Sequence, residues 1–541
     1  MNKLRANINK PLLGLLFMGL STLTNSCTDT LTDINKNPLY PDEKALHQDG
    51  ILLGSFLPAL QQAVIPVSTG GTDAVNAYQE SVNLTADAWC GYLSPRDNKW
   101  LGGLTFPVYF FQEGWCNNIF ATKVKNIYVP WRGIKQHAMD GEVKNPNVFA
   151  LAQIIKVAAL NRTTDTYGPI PYSQIGKGEF YVAYDTQEKV YQQMFAELEE
   201  AIQTLTAYTG DKLLPKFDVV YEGDVTKWLK YANSLMLRMA IRVRFADPAL
   251  AQKYAEMAVK HSAGLIETEA ESAKMGQGAG LQMKNPLYTI DGPYNDTRMG
   301  AVIDCYMNGY NDPRMKVYFK KAVGTGEVWR GIRSGISSSG TRYDNFSRVN
   351  VIENEPVYWM RASEVSFLRA EGALAGFSMG GTAEKFYKEG ITKSFAERGV
   401  QGADNYLNLN LKPAAYTDIT ASSLNVGAPS EVTVRWDEAA AVDMKLEKII
   451  TQKYLAIFPD GQEAWTEWRR TGYPKQIPVK ENKTNYGVKT GNGYADGVRR
   501  MPYPRIEYDK NIDNVKKALA ESFGGEDLAS KNLWWDKKSK N

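Results

Sequence analysis

Histidine is almost missing from this chain: His47, His137 and His261 are the only three in 541 residues, widely separated and without ligand spacing around them. Imidazole catalysis and His-based metal chemistry therefore start without a candidate set. Cysteine is also scarce. Beyond Cys27, only Cys90, Cys116 and Cys305 occur, an odd number with no disulfide-framework or zinc spacing. A Cys90–Cys116 bridge is conceivable in an exported protein, but burial as small apolar side chains is the favoured reading. The chain has no G-x-S-x-G elbow and no phosphate-binding Gly-Lys-Ser/Thr, so no cofactor is expected. Asn492–Gly497 lacks the alternating acidic spacing of a calcium loop, and no metal is expected. No apolar run of eighteen residues follows the first thirty, which excludes a later spanning helix of the ordinary kind.

Net charge is missing too, once the N-terminus is set aside. Lys3, Arg5 and Lys10 precede an apolar Leu12–Leu23, then small polar residues up to Cys27. This reads as an export leader, residues 1–26, with Ser26-Cys27 as a lipoprotein processing site and Cys27 as the acylated residue. More than one acyl chain at Cys27 would give a stable anchor. An ordinary secretory signal with an incidental cysteine is the alternative. The leader holds three Lys or Arg and no Asp or Glu, leaving sixty charges of each sign in the remainder. Such a balance offers no electrostatic reason to expect nucleic acid or anionic lipid as partner.

Between Asp33 and Trp535 there is no Ser/Gly- or Pro-rich linker, so residues 27–541 are expected to form a single domain. Much of it has helical periodicity. Asn147–Leu160 carries Val148, Leu151, Ile155 and Ala158 on one stripe and is expected to stop before Asp165–Tyr172. Asp185 with Glu188 forms a capping-box pattern ahead of Tyr191, Met194, Leu198, Ile202 and Leu205. Asp224 caps a helix with Trp228, Tyr231, Leu235 and Met239 inward and Lys230, Arg238 and Arg242 toward water. Further helices are expected over Pro248–His261, Trp359–Ala375 and Thr382–Arg398. Helix pairs of this size resemble tetratricopeptide units.

Two stretches break the periodicity, about 88–131 and 284–351. The first holds Trp89, Tyr92, Trp100, Tyr109, Trp115 and Trp131 among glycines. The second holds Tyr288, Tyr294, Tyr306, Tyr310, Trp329 and Tyr343 among Gly, Ser and Asn. Aromatic faces beside Asn, Asp and Arg suit a neutral, hydroxyl-rich ligand, because rings pack on C–H patches while polar groups fix hydroxyls. For any single ring, core packing is the competing role. From the residues, Trp89, Asp97, Asn98 and Trp100 are the candidates in the first stretch, and Tyr294, Asn295, Arg298 and Trp329 in the second.

The densest stretch is Ile449–Pro474. Glu463 and Glu467, four apart between Trp465 and Trp468, fit either an acid/base pair or an ionic framework with Arg469 and Arg470. Its place after an amphipathic helix beginning near Trp436 favours the framework.

Taken together, several segments resemble the SusD/RagB family of outer-membrane lipoproteins of Bacteroidetes. They are the Cys27 start with Asp33–Pro38, Asp165–Tyr172, Trp228–Arg242, Tyr310–Met315, Ala362–Gly372, Pro459–Pro474, Arg500–Pro504 with Glu507-Tyr508, and Trp534–Asp536. They run in family order over essentially the whole mature chain. The resemblance implies a mainly α fold, a tetratricopeptide-like helix-pair superhelix carrying an irregular, loop-rich ligand-binding half. It implies a non-catalytic, lipid-anchored outer-membrane protein that captures oligo- or polysaccharide for a SusC-like TonB-dependent transporter. Asp29 and Asp33 resemble part of the acidic signal for the outer face. No motif transfers the binding residues. Peptide or protein capture is the alternative function, and a glycoside hydrolase a more distant one.

Overall fold

The longer helices include α1 (Glu113–Lys123), α2 (Lys125–Lys135), α3 (Pro146–Tyr167), α4 (Gln187–Thr206), α5 (Val225–Val243), α6 (Pro248–Lys260), α7 (Ala362–Leu374), α8 (Ala383–Glu397), α9 (Val442–Ile457) and α10 (Gly461–Thr471). The computed structural model describes residues 50–540 apart from 68–71, 141–143, 179, 279, 325, 327, 337–339 and 493–494. The leader and Cys27 lie outside the described residues. Leu53–Asn541 forms one compact unit and Met1–Leu52 separates as another. Among the described residues six short strands, β1 (Leu93–Pro95), β2 (Ile170–Pro171), β3 (Tyr184–Asp185), β4 (Ala273–Met275), β5 (Thr297–Met299) and β6 (Val357–Met360), pair antiparallel as β1–β5, β2–β3 and β4–β6.

The fold is mainly helical, built from helix pairs: α3 with α4, α5 with α6, and α7 with α8, with α9 against α7. The apolar stripes explain the packing. Tyr191, Met194, Leu198, Ile202 and Leu205 of α4 are all buried, as are Trp228, Tyr231, Leu235 and Met239 of α5. Asp224 caps α5 through the Lys227 N–H at 3.0 Å.

Four local expectations change. α3 runs on through Asp165 to Tyr167 because its polar end is satisfied inside the protein. Asp165 accepts from the Tyr191 hydroxyl (2.6 Å) and the Trp535 indole N–H (2.8 Å), and Thr166 bonds back to the Arg162 carbonyl. The helix ends only at Gly168, where φ is +88°. Thr186, not Asp185, caps α4, since the Asp185 carboxylate is taken by Ser173. The later part of 88–131 is helical, as α1 and α2, despite Pro130. Arg238 and Arg242 do not reach water: both are buried.

Those two arginines enter a network beneath α10. Arg238 holds Glu364 with two bonds (2.9 and 2.7 Å), Arg242 holds Glu463 (2.6 Å) and Glu467, and Lys453 bonds Glu463 at 2.8 Å. Arg470 pairs with Glu371 (2.6 and 2.7 Å) and with Glu467. Burial pushes the Glu463 carboxyl up, but Arg242, Lys453 and Arg238 outweigh it and hold it well below the usual carboxylate range. Arg469 departs from the expected pairing. It donates to the Arg499 carbonyl (2.8 Å) and Thr466 (2.9 Å), with its guanidinium 3.4 Å from the Trp465 ring centroid. Cys90, Cys116 and Cys305 are buried free thiols.

Candidate functional site

The two irregular stretches meet. Strand β1 pairs with β5 so that Leu93 faces Met299, Ser94 faces Arg298 and Pro95 faces Thr297. Just beyond this pairing three backbone segments cross at Gly91, Gly300 and Gly331. A Cβ on Gly300 would sit 2.4 Å from the Gly91 carbonyl oxygen, and one on Gly331 would sit 2.4 Å from the Gly300 carbonyl oxygen. Only glycine permits so close a crossing. A wide π-helical segment, Gln79–Asp87, supports it from behind, with Gln79 donating to Asp296 at 3.0 Å.

Arg96 straps the two loops together. Its guanidinium donates to the Asn295 carbonyl (2.9 Å), the Gly340 carbonyl (3.0 Å), Asp97 (2.6 Å) and Asp344. Asn98 is consumed in shaping its own loop, donating to the Gly103 carbonyl (2.8 Å) and accepting from Thr105 (2.7 Å). Lys99 pairs with Asp296 and stands 5.0 Å from the Trp100 ring centroid. Trp100 is half-buried and meets Trp115 edge-on at 6.3 Å. Tyr294, also half-buried, places its hydroxyl 3.5 Å from Asn76. The first loop tip turns through Leu101 (φ 52°) and Gly102 (φ 65°), and Asn295 has φ 52°. Such left-handed residues persist only where surroundings over-determine them, and they gather at ligand-contacting sites. Leu101 is 51% exposed beside Trp100.

Three of the eight candidates sit inside. Trp89 is 7% exposed, donates its indole N–H to the Phe106 carbonyl at 3.1 Å and packs on Trp465 at 4.8 Å. It is a core residue. Arg298 is 1% exposed and spends its donors on the Thr297 carbonyl (2.7 Å), the Asn295 side chain (2.7 Å) and the Asp344 carbonyl (3.0 Å). Burial lowers its pKa to about 10. Asp97 is buried against Arg96, on the edge of a small cleft with Asn98 and Ile336. Trp329 is tied to the Phe319 carbonyl (3.0 Å) and lies under Lys321, rather than joining the strapped loops. Trp100, Tyr294 and Asn295 remain on the open face. Trp115, Leu101 and Lys99 join them without having been singled out, although Trp115 was part of the aromatic excess. Trp465 and Trp468 are buried with Glu463 and Glu467, away from this face.

The family model for SusD-like proteins, described as SusD and RagB outer membrane lipoprotein, matches residues 33–536. The chain belongs to the SusD/RagB family. Among solved structures, this SusD-like protein is 36% identical to a chitin-binding SusD homolog from Flavobacterium johnsoniae, with TM-score 0.84, covering 90% of this chain and 99% of that one. It is 40% identical to a SusD homolog from Bacteroides uniformis, with TM-score 0.82 and the same coverage. A SusD homolog from Bacteroides thetaiotaomicron is 37% identical, again at TM-score 0.82 with that coverage. A search among curated proteins returns no match. Among the described residues no helix is long and apolar enough to cross a membrane, and no three His, Cys, Asp or Glu side chains are grouped to hold a metal ion.

Proposed function

We propose that this SusD-like protein is a non-catalytic lipoprotein of the outer cell surface, anchored through Cys27, that captures oligo- or polysaccharide and passes it to a SusC-like TonB-dependent transporter. The observation that carries the reading is the pair of half-exposed rings, Trp100 and Tyr294, on two loops strapped by Arg96 and Lys99. Rings held on a rigid base lose little entropy when a sugar face packs on them. The chitin-binding homolog at 36% identity supports a glycan as the ligand class. The saturated pairing of Glu463 and Glu467 supports binding over hydrolysis, since two buried, ionised, fully bonded carboxylates offer neither a proton nor a free nucleophile.

The processed protein should be retarded in native gels containing its polysaccharide, with soluble chitin derivatives the first to try, and release no reducing ends. Trp100→Ala should abolish the retardation. A blank glycan screen alongside thermal protection by peptides would transfer the reading to peptide capture. Turnover lost in Glu463→Gln would overturn the binding-only role.

A further inference from the structure

A cavity of about 250 Å³ opens on the side of the protein where residues 349–361 pass the Phe458-Pro459-Asp460 turn. Its walls are mostly apolar, including Val82, Leu287, Val351 and Phe458. Three arginines line it, and they differ in what they hold. Arg162 is spent on Asp460, with bonds of 3.0 and 2.8 Å. Arg398 donates to the Phe458 carbonyl and lies over the Tyr318 ring.

Arg361 is different. It is 4% exposed, yet its guanidinium makes no hydrogen bond to a described residue. The Tyr358 ring centroid lies 3.3 Å from it, and a Glu269 oxygen is 3.9 Å away. Glu269 is itself held more closely by the Tyr358 hydroxyl (2.6 Å) and Lys274 (3.1 Å). Nearby Glu397 accepts from the Ser363 backbone N–H (2.7 Å) and hydroxyl (2.6 Å). Glu355, on the rim, faces the Ile352 N–H at 3.4 Å. The neighbouring carboxylates therefore have closer partners, while Arg361, at the cavity wall, reaches only the Tyr358 ring and the more distant Glu269 oxygen. A largely buried guanidinium without a hydrogen bond is under-satisfied, and an anion or a ligand oxygen at the cavity would supply what the Glu269 contact at 3.9 Å does not. Burial and then the neighbouring Arg398 act against its charge, only partly offset by Glu397, Tyr358 and Glu269, and an arriving anion would add to that offset.

We propose that this cavity binds a small organic carboxylate, the carboxylate taken by the Arg361 fork and an apolar body the size of one ring lying on Leu287, Val351 and Phe458. The site uses none of the residues of the strapped loops, so it stands independently of the glycan reading.

The test is isothermal titration of the processed protein, in matched detergent, with 3-phenylpropionate and its neutral amide. The acid should bind saturably and the amide about tenfold or more weaker, the step expected when a charged hydrogen bond is lost. Arg361→Gln should weaken the acid by a similar factor while leaving gel retardation by glycan unchanged. Val351→Trp, which fills the apolar side and spares the guanidinium, should block both compounds and decides the matter if Arg361→Gln fails to fold. Equal binding of acid and amide, no binding of the acid at millimolar concentration, or unchanged binding in either folded variant overturns the proposal.

Discussion

The network under α10 and the strapped loops at β1–β5 both use arginine, to opposite ends. Under α10, the Arg238, Arg242 and Arg470 guanidinia are matched by carboxylates out of contact with water. At the loops, Arg96 spends much of its capacity on backbone carbonyls, and the rings of Trp100 and Tyr294 stay half-exposed. Dense charge marks the frame here, and half-exposed aromatic surface marks the proposed ligand face.

The largest test of that contrast is Glu463→Gln. It leaves Arg242 and Lys453 short of a buried counter-charge and should cost about 3–5 kcal/mol in urea unfolding; a loss under about 1 kcal/mol would mean the network is not the frame. Next comes a matched pair of substitutions. Trp89→Ala should cost about 3–5 kcal/mol by opening a cavity against Trp465. Trp100→Ala should cost about 1 kcal/mol or less but lose glycan retention. Equal destabilisation by both would erase the distinction between core ring and ligand ring.

Smaller effects are carried by pH. Burial pushes the Glu371 carboxyl up, but Arg470 and Arg244 outweigh it and hold it at about 2. Its contribution is present above the ordinary Glu value and is lost as pH falls from about 4.5 toward 2. Asp304 has the opposite sign. Burial raises it to about 6, only partly offset by the Gly331 N–H and the Asn308 amide. Its contribution is full below about 4 and is lost as pH rises through about 6. The stability difference between wild type and Asp304→Asn should therefore shrink over that window, measured by urea midpoints at fixed pH; a constant difference would remove Asp304 as the cause. Smallest of all, Asp509→Asn removes an exposed i,i+4 contact with Arg505 and should leave the midpoint unmoved.

Helices α4 and α5 were legible in the sequence because their stripes obey a local rule, a period of 3.6 residues. The inward turn of Arg238 and Arg242 was not, since their partners Glu364, Glu463 and Glu467 lie more than a hundred residues away. The same holds at the site. The excess of aromatics singled out two stretches that the fold brings together at β1 and β5. Separating Trp89 from Trp100 needs Trp465, which reaches Trp89 from the far end of the chain. Asn295 and Asn98 show a further limit: a polar side chain fit for a sugar hydroxyl is equally fit to staple its own loop, and only the fold shows that both do so, Asn98 with Gly103 and Thr105 and Asn295 with Arg298.

The glycine crossing at 91, 300 and 331 also divides the molecule for an engineer. Backbones that touch there cannot be re-spaced, so this part of the scaffold works as a fixed socket. The turns at 98–103 and 292–296 are no part of that crossing, so their open side chains, Leu101 and Tyr294 among them, can be varied like bits in one holder while Asn98 and Asp296 keep the seat.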